Sequence, residues 1–256
     1  VLDQPSWNKM NKNQLKQVKS LRYAKYRKLY GKFFIEGLRL VKGALDWGST
    51  VEGIYCTEAF YKDKYESAIF NDIRKDKIKI VTERVFKNIC CTKSPSGIAA
   101  ICTIPKYNSI NLEERQWIYL DQISDPGNLG TLLRSASWFG LKNIALSPSS
   151  VDPYNPKVVR AAMGAHFGIN LYVNVNLNKF YKSHTIIAAS RKGTDITDFN
   201  FPKKSVFVFG NEAHGISNKR MKIVQELITI KRFGTGESLN IASAASVIMY
   251  MIRNNK

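Results

Sequence analysis

Three separated stretches combine glycine-bearing turns with polar side chains that a packed core does not choose. They are Asp125-Pro126-Gly127-Asn128-Leu129-Gly130 running on to Arg134, Phe209-Gly210-Asn211-Glu212-Ala213-His214-Gly215, and Gly236-Glu237-Ser238-Leu239-Asn240. Backbone N–H groups and unhindered glycines are what a close-fitting small-molecule site needs. One such loop is an ordinary turn; three in one domain point to a shared small-molecule ligand. The common nucleotide signatures, G-x-x-x-x-G-K-[ST] and G-x-G-x-x-G, are absent. The three histidines, His166, His184 and His214, have no metal-ligand spacing, and no Ser/His/Asp arrangement is specified. His214 lies in the second stretch, where packing or hydrogen bonding competes with catalysis as its role.

Hydrophobic periodicity gives the elements that must hold these loops. In the second half, strands are expected at 117–120, 143–146, 169–173, 185–189, 205–209 and 227–230. Helices are expected at 128–140, 155–166 (Pro156 in its first turn), 218–225 and 238–253. Near-continuous apolar strands separated by helices imply a parallel sheet covered on both faces, with ligands at the strands' carboxyl ends. All three stretches fall there. The first half reads as a basic helix at 8–30, strands at 33–35, 51–56, 78–81 and 97–104, and helices at 37–47, 58–75 and 83–90. This is an α/β domain of ordinary size. The expected organisation is a first domain over 1–106, a polar linker at 107–115 and a second domain over 116–256.

The 256 residues carry 39 Lys plus Arg against 20 Asp plus Glu, a net charge of +19. With no hydrophobic anchor, such an excess favours nucleic acid over membrane as the partner. The densest stretch, 8–42, holds eleven bases and the single acid Glu36. Lys16, Lys19, Arg22, Lys25, Arg27 and Lys28 are the RNA-contact candidates there, against the alternative of a solvated charged helix. Tyr23, Tyr26 and Tyr30 interleave with them and either stack on unpaired bases or pack on the domain. Cys56, Cys90, Cys91 and Cys102 fit no zinc template and no disulfide framework, which implies reduced thiols in a cytoplasmic protein without a metal. The longest apolar run, 241–252, is too short to span a bilayer. The N-terminus is polar and lysine-rich, unlike a signal peptide, and its first residue, Val1, leaves room for sequence upstream.

Taken in order, the three stretches resemble the three motifs of the SpoU/TrmH family of RNA ribose methyltransferases in the SPOUT superfamily. Motif one matches Leu120-Asp121 through Asp125-Pro126-x-Asn128-x-Gly130 to Arg134, motif two Val208-Phe209-Gly210-Asn211-Glu212-x-x-Gly215, and motif three Glu237-Ser238-Leu239-Asn240. Asp152-Pro153-Tyr154-Asn155-Pro156-Lys157 and its continuation, and Ser94-Pro95-Ser96-Gly97, add support. The likeness is strong over 117–253 and looser over 11–104, the latter resembling the family's N-terminal substrate-binding domain.

The resemblance implies a C-terminal parallel-sheet α/β/α domain tied in a deep trefoil knot, preceded by a ribosomal-protein-like α/β domain. It implies S-adenosyl-L-methionine as cofactor and a homodimer whose active sites draw on both subunits. The implied reaction is methylation of a ribose 2′-hydroxyl, with ribosomal RNA favoured over transfer RNA by the added N-terminal domain. A non-catalytic RNA-binding protein on the same fold is the alternative; loss of motif residues would have supported it. By resemblance Arg134, Asn128, Glu212, Ser238 and Asn240 are the catalytic set, and Gly210, Asn211, Gly215, Ile230 and Leu239 hold the cofactor. Arg160 is placed on RNA phosphate or left as helix surface. Asn128 and Ser238 are also candidate helix caps, and Glu212 a loop carboxylate that pairs with a nearby base. The family's Ile-Pro-Met before motif three is here Ile230-Lys231-Arg232, which puts two charges where the backbone lines the cofactor pocket.

Overall fold

The computed structural model describes residues 10–64, 73, 75–106 and 109–254. It divides into two compact units, 1–106 with 154–167, and 107–153 with 168–256.

The first unit opens with α1 (Lys12–Ser20), whose Asn11 and Gln14 form a reciprocal capping box, and α2 (Ala24–Tyr30), which ends on left-handed Gly31 (φ 62°). The helix expected over 8–30 is therefore two. Residues 8 and 9 lie outside the described residues. The break falls at Leu21, where the freed carbonyl accepts a hydrogen bond from Arg27 Nη1 at 2.8 Å. Then come β1 (Lys32–Glu36), α3 (Leu38–Asp46), β2 (Val51–Thr57), α4 (Glu58–Lys64), β3 (Ile78–Val81), α5 (Glu83–Ile89) and β4 (Ile98–Thr103). Most of the helix expected beyond Lys64 lies outside the described residues. The strands form a mixed sheet in the order β1-β4-β2-β3, with only β2 and β3 parallel. One face packs Phe34, Tyr55, Ala99 and Ile101 against Val18 and Leu21 of the N-terminal helical region and Phe86 and Ile89 of α5.

The second unit runs β5 (Gln116–Leu120), α6 (Pro126–Trp138) and β6 (Asn143–Leu146). Next is α7 (Pro156–Ala162), then β7 (Asn170–Tyr172), β8 (Thr185–Asp195), β9 (Ser205–Phe209), α8 (Asn218–Met221), β10 (Glu226–Thr229) and α9 (Ile241–Asn254). The segment carrying α7 belongs to the first unit, where Tyr154 packs 4.8 Å from Phe33, centroid to centroid. A division at residue 106 leaves this excursion out. The sheet is entirely parallel, in the order β10-β8-β9-β5-β6-β7. Trp117, Tyr119, Val206, Val208, Ile186 and Ala188 pack with Leu177 and Phe180 in one dry cluster.

Three departures from periodicity have local causes. The helix expected to reach 225 stops at Met221 because Gln225 joins the sheet, donating its N–H to Ile186 O (2.9 Å) and accepting from Ile186 N through Oε1 (2.8 Å). Strand β8 runs six residues past the expected end, with 189–193 bowed out between Ala188, paired with Leu227, and Thr194, paired with Ile228. The closing helix starts at Ile241, not 238, because Asn240 Oδ1 caps it by accepting from Ala242 N at 2.8 Å. Among the described residues no helix is long and apolar enough to cross a membrane.

Candidate active site

Strand order decides where a site can form. From β5 the chain builds outward through β6 to β7, then returns to lay β8 and β9 on the other side of β5. The reversal lies between the paired strands β5 and β9, and such a switch point opens a crevice at the carboxyl ends. Motif one leaves β5 there, motif two leaves β9, and motif three follows β10.

Motif one is held by its helix start. Asp125 caps α6, its Oδ1 accepting from Asn128 N at 2.7 Å, and Pro126 occupies a first-turn position that needs no donor. Asn128 is therefore not the cap, and its side chain is free for other work. Asn128 Nδ2 donates to Glu212 Oε1 at 2.7 Å, and Asn128 Oδ1 accepts from Asn240 Nδ2 at 3.1 Å. One carboxamide thus joins all three motifs. The orientation follows from the network: capping of α9 commits Asn240 Oδ1, so Nδ2 faces Asn128 and leaves Asn128 Nδ2 for the carboxylate. Glu212 makes no ion pair with any described residue, so the alternative of a loop carboxylate paired with a base gives way to the Asn128 contact.

Motif two is a tight loop closed on itself. Asn211 and Gly215 exchange backbone hydrogen bonds at 2.9 and 2.8 Å, and Asn211 Oδ1 accepts from Ala213 N and His214 N. Asn211 Nδ2 reaches across to Gln122 O at 2.8 Å. A Cβ on Gly210 would lie 2.3 Å from Gly215 C, so glycine is required by its own loop and not only by a ligand. Gln122 holds a left-handed conformation (φ 55°) that turns its carbonyl toward Asn211, a strained geometry of the kind found at functional loops.

Beneath the loops lies a charge network of which motif reading picked out only Asp121. Asp121 is fully buried; its Oδ1 sits 2.7 Å from Arg220 Nη1 without hydrogen-bond alignment, a Coulombic contact, and its Oδ2 accepts from Ser217 N at 3.1 Å. Arg220 Nε donates to Tyr119 Oη at 3.1 Å, and that hydroxyl donates to Val175 O at 2.9 Å. Burial holds Tyr119 above its ordinary pKa, which keeps the proton this chain needs. An acid ending a fully apolar strand was the visible signal for Asp121; nothing local marked Arg220.

Other expected residues stand apart. Arg134 is exposed on α6 and makes no hydrogen bond or ion pair with any described residue. It lies about 9 Å along the axis and about 120° around the helix from Asn128. Ser238, Leu239 and His214 are exposed, and Ile230 is half-buried. In the first unit Lys16, Lys25, Lys28 and Arg160 are exposed, while Lys19 and Arg22 are half-buried. Arg27 is the correction: at 2% exposure, with Nη1 bonded to Leu21 O, it holds the helical turn and is not open to RNA. Tyr26 stacks on Tyr30 at 6.1 Å, whereas Tyr23 is 60% exposed. The four cysteines are free, and burial pushes Cys56 and Cys102 up to about 12.

Both parts of the chain are similar to known proteins. Residues 12–100 match the MRM3-like substrate binding domain. The 23S rRNA (guanosine(2553)-2′-O)-methyltransferase of Bacillus subtilis is 30% identical over 94% of this chain and 97% of its own. A putative RNA methyltransferase of the TrmH family from Porphyromonas gingivalis superposes with a TM-score of 0.84 at 27% identity, covering 96% of this chain and 99% of that one. The AdoMet-bound rRNA methyltransferase from Sinorhizobium meliloti gives 0.78 at 26% identity, with 94% of each chain covered. Residues 115–250, which hold all three motifs and the carboxamide joining them, match the SpoU rRNA Methylase family, and the chain belongs to it.

Proposed function

We propose that this protein transfers a methyl group from S-adenosyl-L-methionine to a ribose 2′-hydroxyl of ribosomal RNA. The observation that carries the reading is the Asn240–Asn128–Glu212 relay, which fixes polar groups of three loops together. Ribosomal RNA is favoured over transfer RNA by the substrate-binding domain match and by the substrate in the Bacillus subtilis relative's name. A non-catalytic role loses ground because Asn128, Arg134, Glu212 and Asn240 are all present.

The residues fit the cofactor. No backbone N–H from residue 231 to 239 donates to a described residue, and Leu239 stands 56% exposed beside them. Free main-chain donors next to apolar surface suit an adenine edge and face. Residues 210, 211, 215, 230 and 239 would hold it. When bound, S-adenosylmethionine supplies an electrophilic methyl group.

The protein's task is to bring the 2′-oxygen in line and to manage its proton. Good alignment is worth about 7–11 kcal/mol of the barrier. Glu212 Oε2 has no partner among the described residues, so it is available to accept the ribose hydroxyl while Asn128 steadies the other oxygen. Arg134 is always protonated and so stabilises the oxygen as it becomes alkoxide-like, or clamps a neighbouring phosphate; it does not take the proton itself. Ser238, on the motif-three loop beside Asn240, offers a further hydroxyl contact.

A homodimer completes this reading. Arg134 and Trp138 are four residues apart on one exposed face of α6, and Trp138 is 84% exposed. Val247 and Tyr250 line the exposed side of α9, which packs on α6 through Ser135 Oγ and Ser246 Oγ at 2.7 Å. An apolar surface of that kind suits a two-fold partner, and Arg134 beside it would serve the partner's crevice. The trefoil knot around motifs two and three, and a cytoplasmic setting, belong to the same reading. Titration calorimetry tests it: the protein should bind S-adenosylmethionine and transfer its methyl group to ribosomal RNA, and absence of binding would leave only the non-catalytic alternative.

A further inference from the structure

The loop entering motif three exposes an aromatic ring among cations. Phe233 is 89% exposed, and Lys231 Nζ lies 5.4 Å from its ring centroid. Arg232 Nη1 donates to Gly236 O at 2.7 Å, which closes the turn and leaves Phe233 at its tip. Gly234 and Gly236 face open space. The bowed segment of β8, the strand paired with β10, carries two more exposed cations, Arg191 and Lys192. Asp195 balances part of this charge, but its Oδ1 is occupied by the amide and hydroxyl of Thr197. The far end of the loop is tied to the site through Asn240 and Asn128.

An aromatic face with adjacent cations is the chemistry that holds a single-stranded nucleotide: the base stacks and the phosphate pairs. The Lys231 and Arg232 side chains suit a phosphate better than they suit S-adenosylmethionine, which is itself a net cation and carries no phosphate. We propose that Phe233 stacks on an unpaired RNA base beside the ribose to be methylated, with Lys231 and Arg232 on the adjoining phosphates. The position relative to that ribose rests on the methyltransferase reading; the capacity to stack does not.

The test uses the full-length chain and a short fluorescein-labelled single-stranded RNA of mixed sequence, read by anisotropy across a salt series. Phe233→Ala should weaken binding about 10-fold or more, within the range for losing one base–aromatic stack, and Phe233→Trp should retain it. The double change Lys231→Ala with Arg232→Ala should instead flatten the log–log salt slope by about 1.4, two contacts at about 0.7 each for a single strand. Calorimetry should find S-adenosylmethionine affinity unchanged in Phe233→Ala, and light scattering an unchanged mass. Unchanged RNA affinity in Phe233→Ala would overturn the proposal. So would lost cofactor affinity with RNA binding intact, which makes the ring a cofactor contact, or a fall in mass, which makes it a self-association contact. If the unaltered protein failed to bind S-adenosylmethionine, the methyltransferase reading would fall while the RNA series still decided the role of Phe233.

Discussion

Asn128 Nδ2 and Glu212 Oε1 meet at 2.7 Å across 84 residues of sequence, and capping by Asp125 is what leaves Asn128 free to make that bond. Both oxygens of a carboxylate have work when one is steadied by an amide and the other faces a hydroxyl. Replacing Asn128 by Asp sets a second carboxylate against the first and removes the donor. Asn128→Asp should lower the methylation rate about 100-fold, the scale of losing one oriented polar group. The melting temperature should barely move, because the contact is exposed. A rate within a few-fold of the unaltered protein would remove Asn128 from the site.

The Asp121–Arg220 contact is a different kind of feature, since Asp121 is fully buried. Arg220→Met strands that carboxylate and should cost about 3 kcal/mol of unfolding free energy in urea titrations, the low end for a broken buried pair because Arg220 retains some exposure. Replacing both, with Asp121→Leu, should recover part of the loss. An unaltered midpoint in Arg220→Met would show that the pair does not hold the motif-two loop against β5.

Much of this was legible in the sequence, and the exceptions have causes. Strands such as Ser205–Phe209 and Asn143–Leu146 are buried on both faces, so their apolar runs mark their ends without ambiguity. The motif residues were visible because polar groups at turns break that pattern. What stayed hidden depends on partners distant in the chain. Gly210 is forced by the return of Gly215 and Ile216, and Arg27 turns inward to a carbonyl released by a helix break. Tyr154 finds Phe33 over more than a hundred residues. No local period encodes such contacts.

His184 gives a pH signature. Burial depresses its pKa below the ordinary 6.5, and its ring nitrogens are engaged by Glu114 O at 2.7 Å and Ser183 Oγ at 2.8 Å. The unfolded chain therefore takes up this proton first as pH falls. Stability from neutral His184 is complete above 6.5 and declines as pH drops from there through the folded-state value. Urea midpoints should fall with acidification over that window, and His184→Gln should flatten the fall; an equal slope in both proteins would assign the acid sensitivity elsewhere.

Arg134 is predicted to act across a dimer. Arg134→Ala should cut turnover at least about 100-fold with little change in cofactor affinity, and Arg134→Lys should recover little, lacking the planar fork. Mixing and re-equilibrating Arg134→Ala with Glu212→Ala protein should restore about a quarter of full activity, because half the dimers are then mixed and each carries one complete site. No restoration would place Arg134 and Glu212 in the same subunit's site.

The methyl group is expected on a ribose oxygen. Ribosomal RNA from cells lacking this protein should be incubated with it and methyl-tritiated S-adenosylmethionine, then hydrolysed in alkali. Alkaline cleavage needs a free 2′-hydroxyl, so a 2′-O-methyl group leaves the next phosphodiester intact. Label should appear in alkali-resistant dinucleotides and be lost with Glu212→Ala. Label recovered in mononucleotides, the product of base methylation, would contradict ribose methylation.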